Sequence, residues 1–419
     1  MITTTIGTNE IRFKWKRELP MCRGNELVIK YDVDVSKTPV HLANFMFGMI
    51  MIDALIWCKD PIVLSELTLK EKDGLDKAIF MAYRSGGCCG YLLNLKSPRV
   101  GSSPPKLSAL RIVDEEGVVG GGPVLVSNGM GKDALLSTSM VKEMGFEPRP
   151  FMVGNHVPAR GLWGTLVESA KELCAIKNIA SNTILTNSFS IKPQIRNFGF
   201  YPYFYAYPLA YAYNSDVILG ATEIHNSKVH AKTLDVACGG ESIFTADYVS
   251  KATGIRFSSP TRAITEYGSQ KVFSERYPEL AHIQHSCGRG TPWCNNCSKC
   301  YRTSLNLTVA GFDPTKIGLN HYKRGPLLSN PHPRNKRTDS NVELKCFGNP
   351  HQKWVSGANK RVLDLIWQGK KIREIISEHL PLYDYDPGID DGGYTLVPSK
   401  WKRWLDKGLI YYMRHKHES

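Results

Sequence analysis

The chain has 419 residues, 42% of them hydrophobic, which is enough for two or three domains with proper cores and excludes a largely disordered chain. Its formal charge of +14 is spread along the chain and suits a nucleic acid or a polyanionic small molecule such as a nucleotide, without separating the two. Eleven cysteines, four of them clustered at metal spacing, are too scattered for a disulfide framework and point to a reducing cytoplasm. The start, Met1-Ile-Thr-Thr-Thr5, lacks the basic-then-apolar build of a signal peptide. The most apolar window, Leu42 to Trp57, is interrupted by Asp53 and falls short of the roughly 20 residues that cross a bilayer. It predicts a buried amphipathic helix and no membrane partner.

Residues 1–115 read as an α+β domain of their own. Glu26 to Val35 alternates as a strand does, and His41 to Lys59 carries Phe45, Phe47, Met49, Ile50, Ala54, Leu55 and Ile56 at helical spacing. A second helix is expected from Leu75 to Arg84, ending at Gly86-Gly87, and a strand from Tyr91 to Leu95. Cys88 and Cys89 are adjacent, which suits packing better than ligation of one metal. Ser102-Ser-Pro-Pro105 and the glycine-rich stretch Gly117 to Gly122 bracket a boundary.

Beyond that boundary lies Pro123-Val-Leu-Val-Ser-Asn-Gly-Met-Gly-Lys-Asp-Ala134, a short apolar strand, a glycine-bearing turn and the start of a helix. At the carboxyl end of a strand and the amino end of a helix, backbone N–H groups and the helix dipole favour anions. Gly129 and Gly131 let a phosphate approach the backbone, and Lys132 adds a charge. Turns of this kind also occur where packing alone demands them. The glycine spacing and the Lys-Ser/Thr ending of a Walker loop are missing.

Strands are expected next at Pro148 to Val153, Asn182 to Thr186 and Asp216 to Leu219, with a helix over Trp163 to Lys177. Repeated strand–helix–strand units with right-handed crossovers predict a parallel sheet, with the turns after Val126, Val153 and Leu219 on one rim. Tyr201 to Tyr213 is rich in aromatics but has no interleaved basic residue, so core or pocket lining suits it better than base stacking. Glu223, His225, Asn226, Lys228 and His230 follow the fourth strand, where polar groups converge on ligands, although a solvated loop accounts for them as well.

Cys287-x6-Cys294-x2-Cys297-x2-Cys300 is the strongest single signal. Four thiolates at this spacing close a tetrahedral shell around Zn²⁺, with an iron–sulfur cluster as the rival. Such a shell is closed and therefore structural, pinning the loop to a helix that begins near Lys299.

Gly129-Met-Gly-Lys-Asp-Ala134 resembles the pyrophosphatase loop (PP-loop) of ATP-using enzymes, whose signature is Ser-Gly-Gly-x-Asp-Ser. Here both flanking serines are replaced and Met130 stands at the first glycine; Ser127 or Ser137 is the candidate replacement hydroxyl. A PP-loop followed by a cysteine quartet resembles the cyano-deazaguanine synthases. A closer likeness is to the MurL-type epimerases, ATP-dependent enzymes acting on UDP-N-acetylmuramoyl-L-alanyl-L-glutamate. Met130-Gly-Lys-Asp-Ala134 and Cys294-Asn-Asn-Cys-Ser-Lys-Cys-Tyr301 carry that likeness, with Gly220-Ala-Thr-Glu-Ile-His-Asn-Ser227 resembling a rim motif more loosely.

The resemblance implies a Rossmann-like PP-loop domain over residues 116–320 with a zinc knuckle. It also implies an acyl-adenylate formed on a small-molecule carboxylate with release of pyrophosphate. Ser127, Gly129, Met130, Gly131 and Lys132 would then hold the ATP phosphates, and Asp133 would hold Mg²⁺ or fix the loop. Glu223, His225 and His230 are the candidate bases, and Lys132, Asp133, Glu223 and His225 form the expected catalytic set. Residues 321–419 form a basic extension, with an amphipathic helix over Val362 to Leu380. Its Trp401, Lys402, Arg403, Trp404, Tyr411, Tyr412, Arg414 and Lys416 suit a nucleic-acid contact or a self-packing tail. Two alternatives remain: a deazaguanine- or tRNA-modifying enzyme of the same chemistry, and a non-catalytic nucleotide-binding protein. Oligomeric state is left open.

Overall fold

The computed structural model describes residues 1–16, 19, 22–55, 58, 62–79, 107–114, 120–143, 145–155, 181–191, 201–220, 249–258, 266–287, 292–295, 300, 303–304, 307 and 312–319. Its centre is an eight-stranded sheet. The strands are β1 (Ile2–Ile6), β2 (Glu10–Trp15), β3 (Glu26–Tyr31), β6 (Val124–Ser127), β7 (Pro148–Asn155), β8 (Asn182–Thr186), β9 (Val217–Leu219) and β10 (Arg256–Ser258). A separate pair, β4 (Ile62–Leu67) and β5 (Leu107–Ile112), runs parallel.

The large sheet is ordered β1-β2-β3-β8-β7-β6-β9-β10. From β8 to β10 every pairing is parallel, while β1, β2 and β3 join one another and β8 antiparallel. The chain is thus mixed α/β with a mostly parallel sheet. That sheet runs across the boundary expected near residue 115, because Ile29 pairs with Thr186 and Tyr31 with Ile184. Counted within the parallel part, the strands lie in the order 3-2-1-4-5, so the direction of winding reverses between β6 and β9. Open sheets bind ligands outside the carboxyl ends of their strands at such a reversal.

Side chains alternate across a strand, and that alternation divides the core. Ile11, Phe13, Leu27, Ile29, Leu125, Phe151, Ile184, Ile218 and Phe257 share one apolar cluster with helix α1 (Val40–Leu55). Their neighbours Val124, Val126, Met152, Val217 and Leu219 are equally buried but stand outside that cluster, facing the other side. There α3 (Lys132–Glu143) packs on β6 and on the helix Glu266–Arg276.

Helix α1 is apolar all round, and every described residue from Leu42 to Leu55 is buried. A helix of that kind is a core helix and not an amphipathic one, which corrects the expectation for this window. Phe47 meets Phe13 at 4.9 Å and Trp15 at 5.9 Å, and Phe45 meets Tyr207 edge-on. Its one described buried amide is fully used: Asn44 donates to Ser65 Oγ and the Glu66 carbonyl and accepts from Thr4 Oγ1, tying α1 to β4 and β1. At Gly48 the helix passes close to Leu75: a Cβ there would stand 2.7 Å from Leu75 Cδ2, so Leu75 would have to shift.

The second helix, α2, spans residues 69–79 and starts earlier than expected. Thr68 and Glu71 form a reciprocal cap: Thr68 Oγ1 accepts from Glu71 N at 3.1 Å, and Glu71 Oε2 accepts from Thr68 N at 2.8 Å. The expected strand at 91–95 and the expected helices at 163–177 and 362–380 lie outside the described residues, as does the C-terminal extension. Among the described residues no helix is long and apolar enough to cross a membrane.

Candidate functional site: the turn after β6 and the cysteine cluster

Strand β6 ends at Ser127, and α3 begins at Lys132. Between them Asn128 makes an Asx turn, its Oδ1 accepting from Met130 N at 2.9 Å, while Asn128 N donates to the Phe151 carbonyl of β7 at 2.7 Å. Met130 takes a left-handed backbone, φ 57°, which a non-glycine residue adopts only when its surroundings hold it there. Its side chain is completely buried, so the methionine is not exposed on the turn. A Cβ on Gly129 would meet no atom within 4 Å, which leaves that side of the turn open.

Lys132 is nearly buried, and its Nζ lies 2.6 Å from Asp133 Oδ1. Asp133 is the acidic residue of the first helical turn, where the dipole favours a carboxylate. Ser127 is partly exposed at the strand end. Ser137 is fully buried on α3 and its Oγ has no hydrogen-bond partner among the described residues, so it is not a hydroxyl a phosphate could reach at the turn.

The neighbouring strand end is β9. Val126 pairs with Leu219, which puts Ser127 beside Gly220 in the next row. Gly220 is covered by Tyr203: a Cβ there would stand 2.9 Å from the ring. Tyr203, Phe204, Tyr205 and Tyr207 are all buried, as core lining requires. Glu223, His225 and His230 lie outside the described residues.

Three of the four expected metal ligands converge. The Sγ atoms of Cys287, Cys294 and Cys300 lie within 4.8 Å of one another, with Cys294 and Cys300 3.7 Å apart. Thiolates about 2.3 Å from one tetrahedral Zn²⁺ sit about 3.8 Å apart, whereas a disulfide needs about 2.05 Å. This spacing can hold a metal. Cys294 N donates to Cys287 Sγ, and Asn295, the residue after Cys294, takes a left-handed backbone, φ 51°. Asn295 Nδ2 also donates to the carbonyls of Trp293 and Gly318. Trp293, Leu307 and Leu319 pack around Cys287 and Cys300 in a small core of their own. Cys297 lies outside the described residues.

One connection has no signal in the sequence motifs. The segment just before Cys287 lies against the turn: His285 N donates to the Met130 carbonyl at 2.7 Å, and a Cβ on Gly131 would stand 3.7 Å from Ser286 Cβ. The His285 ring rests on Trp293 at 4.5 Å. Because the main bond is made by backbone, side-chain identity gives no hint of it.

A scan against models of known protein families matches none of them. A search of the curated proteins finds no match.

Proposed function

We propose that this chain is an ATP-using enzyme of the PP-loop kind that activates a small-molecule carboxylate as its acyl-adenylate. The observation that carries the reading is the position of the Asn128–Gly131 turn, at the carboxyl end of β6 where the strand order reverses, leading directly into α3. Backbone N–H groups there, together with Lys132, suit a triphosphate. In this reading Asp133 would hold Mg²⁺, which is commonly bound by one or two carboxylates plus substrate phosphates, or would fix the loop.

The chemistry follows from the acidity of the substrate. A carboxylate resists loss of its α-proton, because the carbanion would form beside an existing charge. Attack of its oxygen on the α-phosphorus of ATP expels pyrophosphate and leaves a mixed anhydride without that charge. The α-proton then passes to a base and is returned from the opposite face, and water releases AMP and the inverted acid. Glu223, His225 and His230 are the bases the sequence offers at the next strand end. In this reading the substrate is the terminal glutamate of UDP-N-acetylmuramoyl-L-alanyl-L-glutamate. Cys287, Cys294 and Cys300, with Cys297 as the fourth ligand the spacing offers, would hold a Zn²⁺ with a structural and not a catalytic role.

The test is ATP–pyrophosphate exchange against a panel of nucleotide-linked muramoyl dipeptides, acidic peptides, deazaguanine acids and tRNA. Exchange that requires one carboxylate and disappears in Lys132→Ala is expected; tRNA-dependent exchange would move the substrate to nucleic acid. One observation favours a second reading, nucleotide binding without turnover: the charges of Lys132 and Asp133 already satisfy each other. Saturable ATP binding with no exchange against any acid would establish that reading instead.

A further inference from the structure

We infer that metal in the cysteine cluster holds the 128–133 turn in shape, so that occupancy of the cluster and the order of the turn are linked. The inference rests on reading the cluster as a metal site, and its readout is independent of nucleotide.

Two hydrogen bonds brace the turn at Met130. Met130 is a non-glycine residue at φ 57°, and the peptide groups on its two sides are fixed separately. Asn128 Oδ1 takes the Met130 N–H from within the turn, at 2.9 Å. The Met130 carbonyl is taken by His285 N, at 2.7 Å, from a segment far away in the chain. That segment is short and is itself held at its far end. Cys287 follows His285 by two residues, is fully buried and accepts from Cys294 N. The His285 ring lies on Trp293, the residue before Cys294. Gly131 completes the contact by lying against Ser286.

A metal bound to Cys287, Cys294 and Cys300 fixes the Cys287 end of this arm. Without an ion the cysteines touch through weak contacts, Cys294 N to Cys287 Sγ and Cys294 Sγ to Cys300 Sγ; metal–thiolate bonds add a stronger tie that contributes directly to local folding. Coupling is reciprocal: whatever steadies the turn also tightens the metal. The second brace on Met130 therefore gains firmness when the cluster is filled.

Amide hydrogen exchange of the full chain, with metal content measured alongside, decides the matter. Purified zinc-loaded protein is compared with protein stripped by a chelator. Exchange of the amides in 129–136 is expected to accelerate by about tenfold on stripping, while β7 and β8 hold their protection. His285→Pro removes the donating N–H and is expected to bind zinc stoichiometrically yet show fast exchange in 129–136 even when loaded; His285→Ala keeps that N–H and the protection. Unchanged protection in 129–136 after complete removal of zinc would overturn the inference. So would a chain that binds no zinc, which would also remove the cluster as a metal site while leaving the nucleotide reading of the turn standing.

Discussion

At the scale of single residues, Met130 is the most informative position. Its side chain is fully buried, and its backbone occupies a region that costs a non-glycine residue roughly 1–2 kcal/mol. Deleting a buried methionine side chain costs about 2–5 kcal/mol, so burial outweighs the backbone cost and both Met130→Ala and Met130→Gly are expected to destabilise. Their order is the test. In a helix or strand interior alanine is the more stable choice, but here the glycine variant is expected to be about 1 kcal/mol more stable than the alanine variant in chemical denaturation. An alanine variant as stable as the glycine variant would mean that Met130 is not held at positive φ in solution.

The elements report on how α1 and α2 are fixed. Thr68→Ala removes one half of the cap on α2 and is expected to lower stability by about 1 kcal/mol. Glu71→Ala is expected to cost about 1–3 kcal/mol more, because Glu71 Oε1 also lies 2.9 Å from His41 Nδ1 on α1, and the lost acceptor is buried. Equal losses in the two variants would place the energy in the cap alone. The tyrosines packed on α1 give a pH dependence. Tyr31 donates to the Tyr205 carbonyl, and burial holds the Tyr31 and Tyr207 hydroxyls well above their ordinary range. A tyrosine is neutral when protonated, so a raised folded-state value means that the unfolded chain gives up its proton first. The stabilisation is complete below about pH 10 and is lost as pH rises beyond it. Urea unfolding followed from pH 8 to 11 should show stability falling above about pH 10, and less steeply in Tyr207→Phe; identical slopes would contradict the burial of this hydroxyl.

Across the whole molecule, what the sequence made legible follows from how much of each element's pattern is local. The strands β6, β7, β8 and β9 are apolar runs bounded by turns, and the expected positions match the structure within a few residues. Strand β2 also alternates, Ile11, Phe13 and Trp15 inward against Arg12 and Lys14, but the elements expected from the sequence begin at Glu26 and omit it. Strand β10 is three residues long, too short for any period to show. The continuity of the sheet through β3 and β8 is a pairing between residues more than 150 apart, and no local pattern encodes it. Around the turn and the cysteine cluster, Gly129, Gly131 and the cysteine spacing stand out in the sequence because tight turns and metal ligands draw on few residue types. The brace from His285 to Met130 does not, since any residue with a backbone N–H can supply it.

The central claim is that the turn between β6 and α3 holds nucleotide phosphates, and equilibrium binding of ATP tests it most directly. Wild-type protein is compared with Lys132→Ala and with Lys142→Ala, the latter an exposed lysine at the far end of the same helix. The account predicts saturable binding that weakens by about tenfold or more in Lys132→Ala, as expected for loss of a charge-assisted contact worth about 1.5–3 kcal/mol, and that is unchanged in Lys142→Ala. Absence of saturable ATP binding, or equal affinity in Lys132→Ala and wild type, would contradict it.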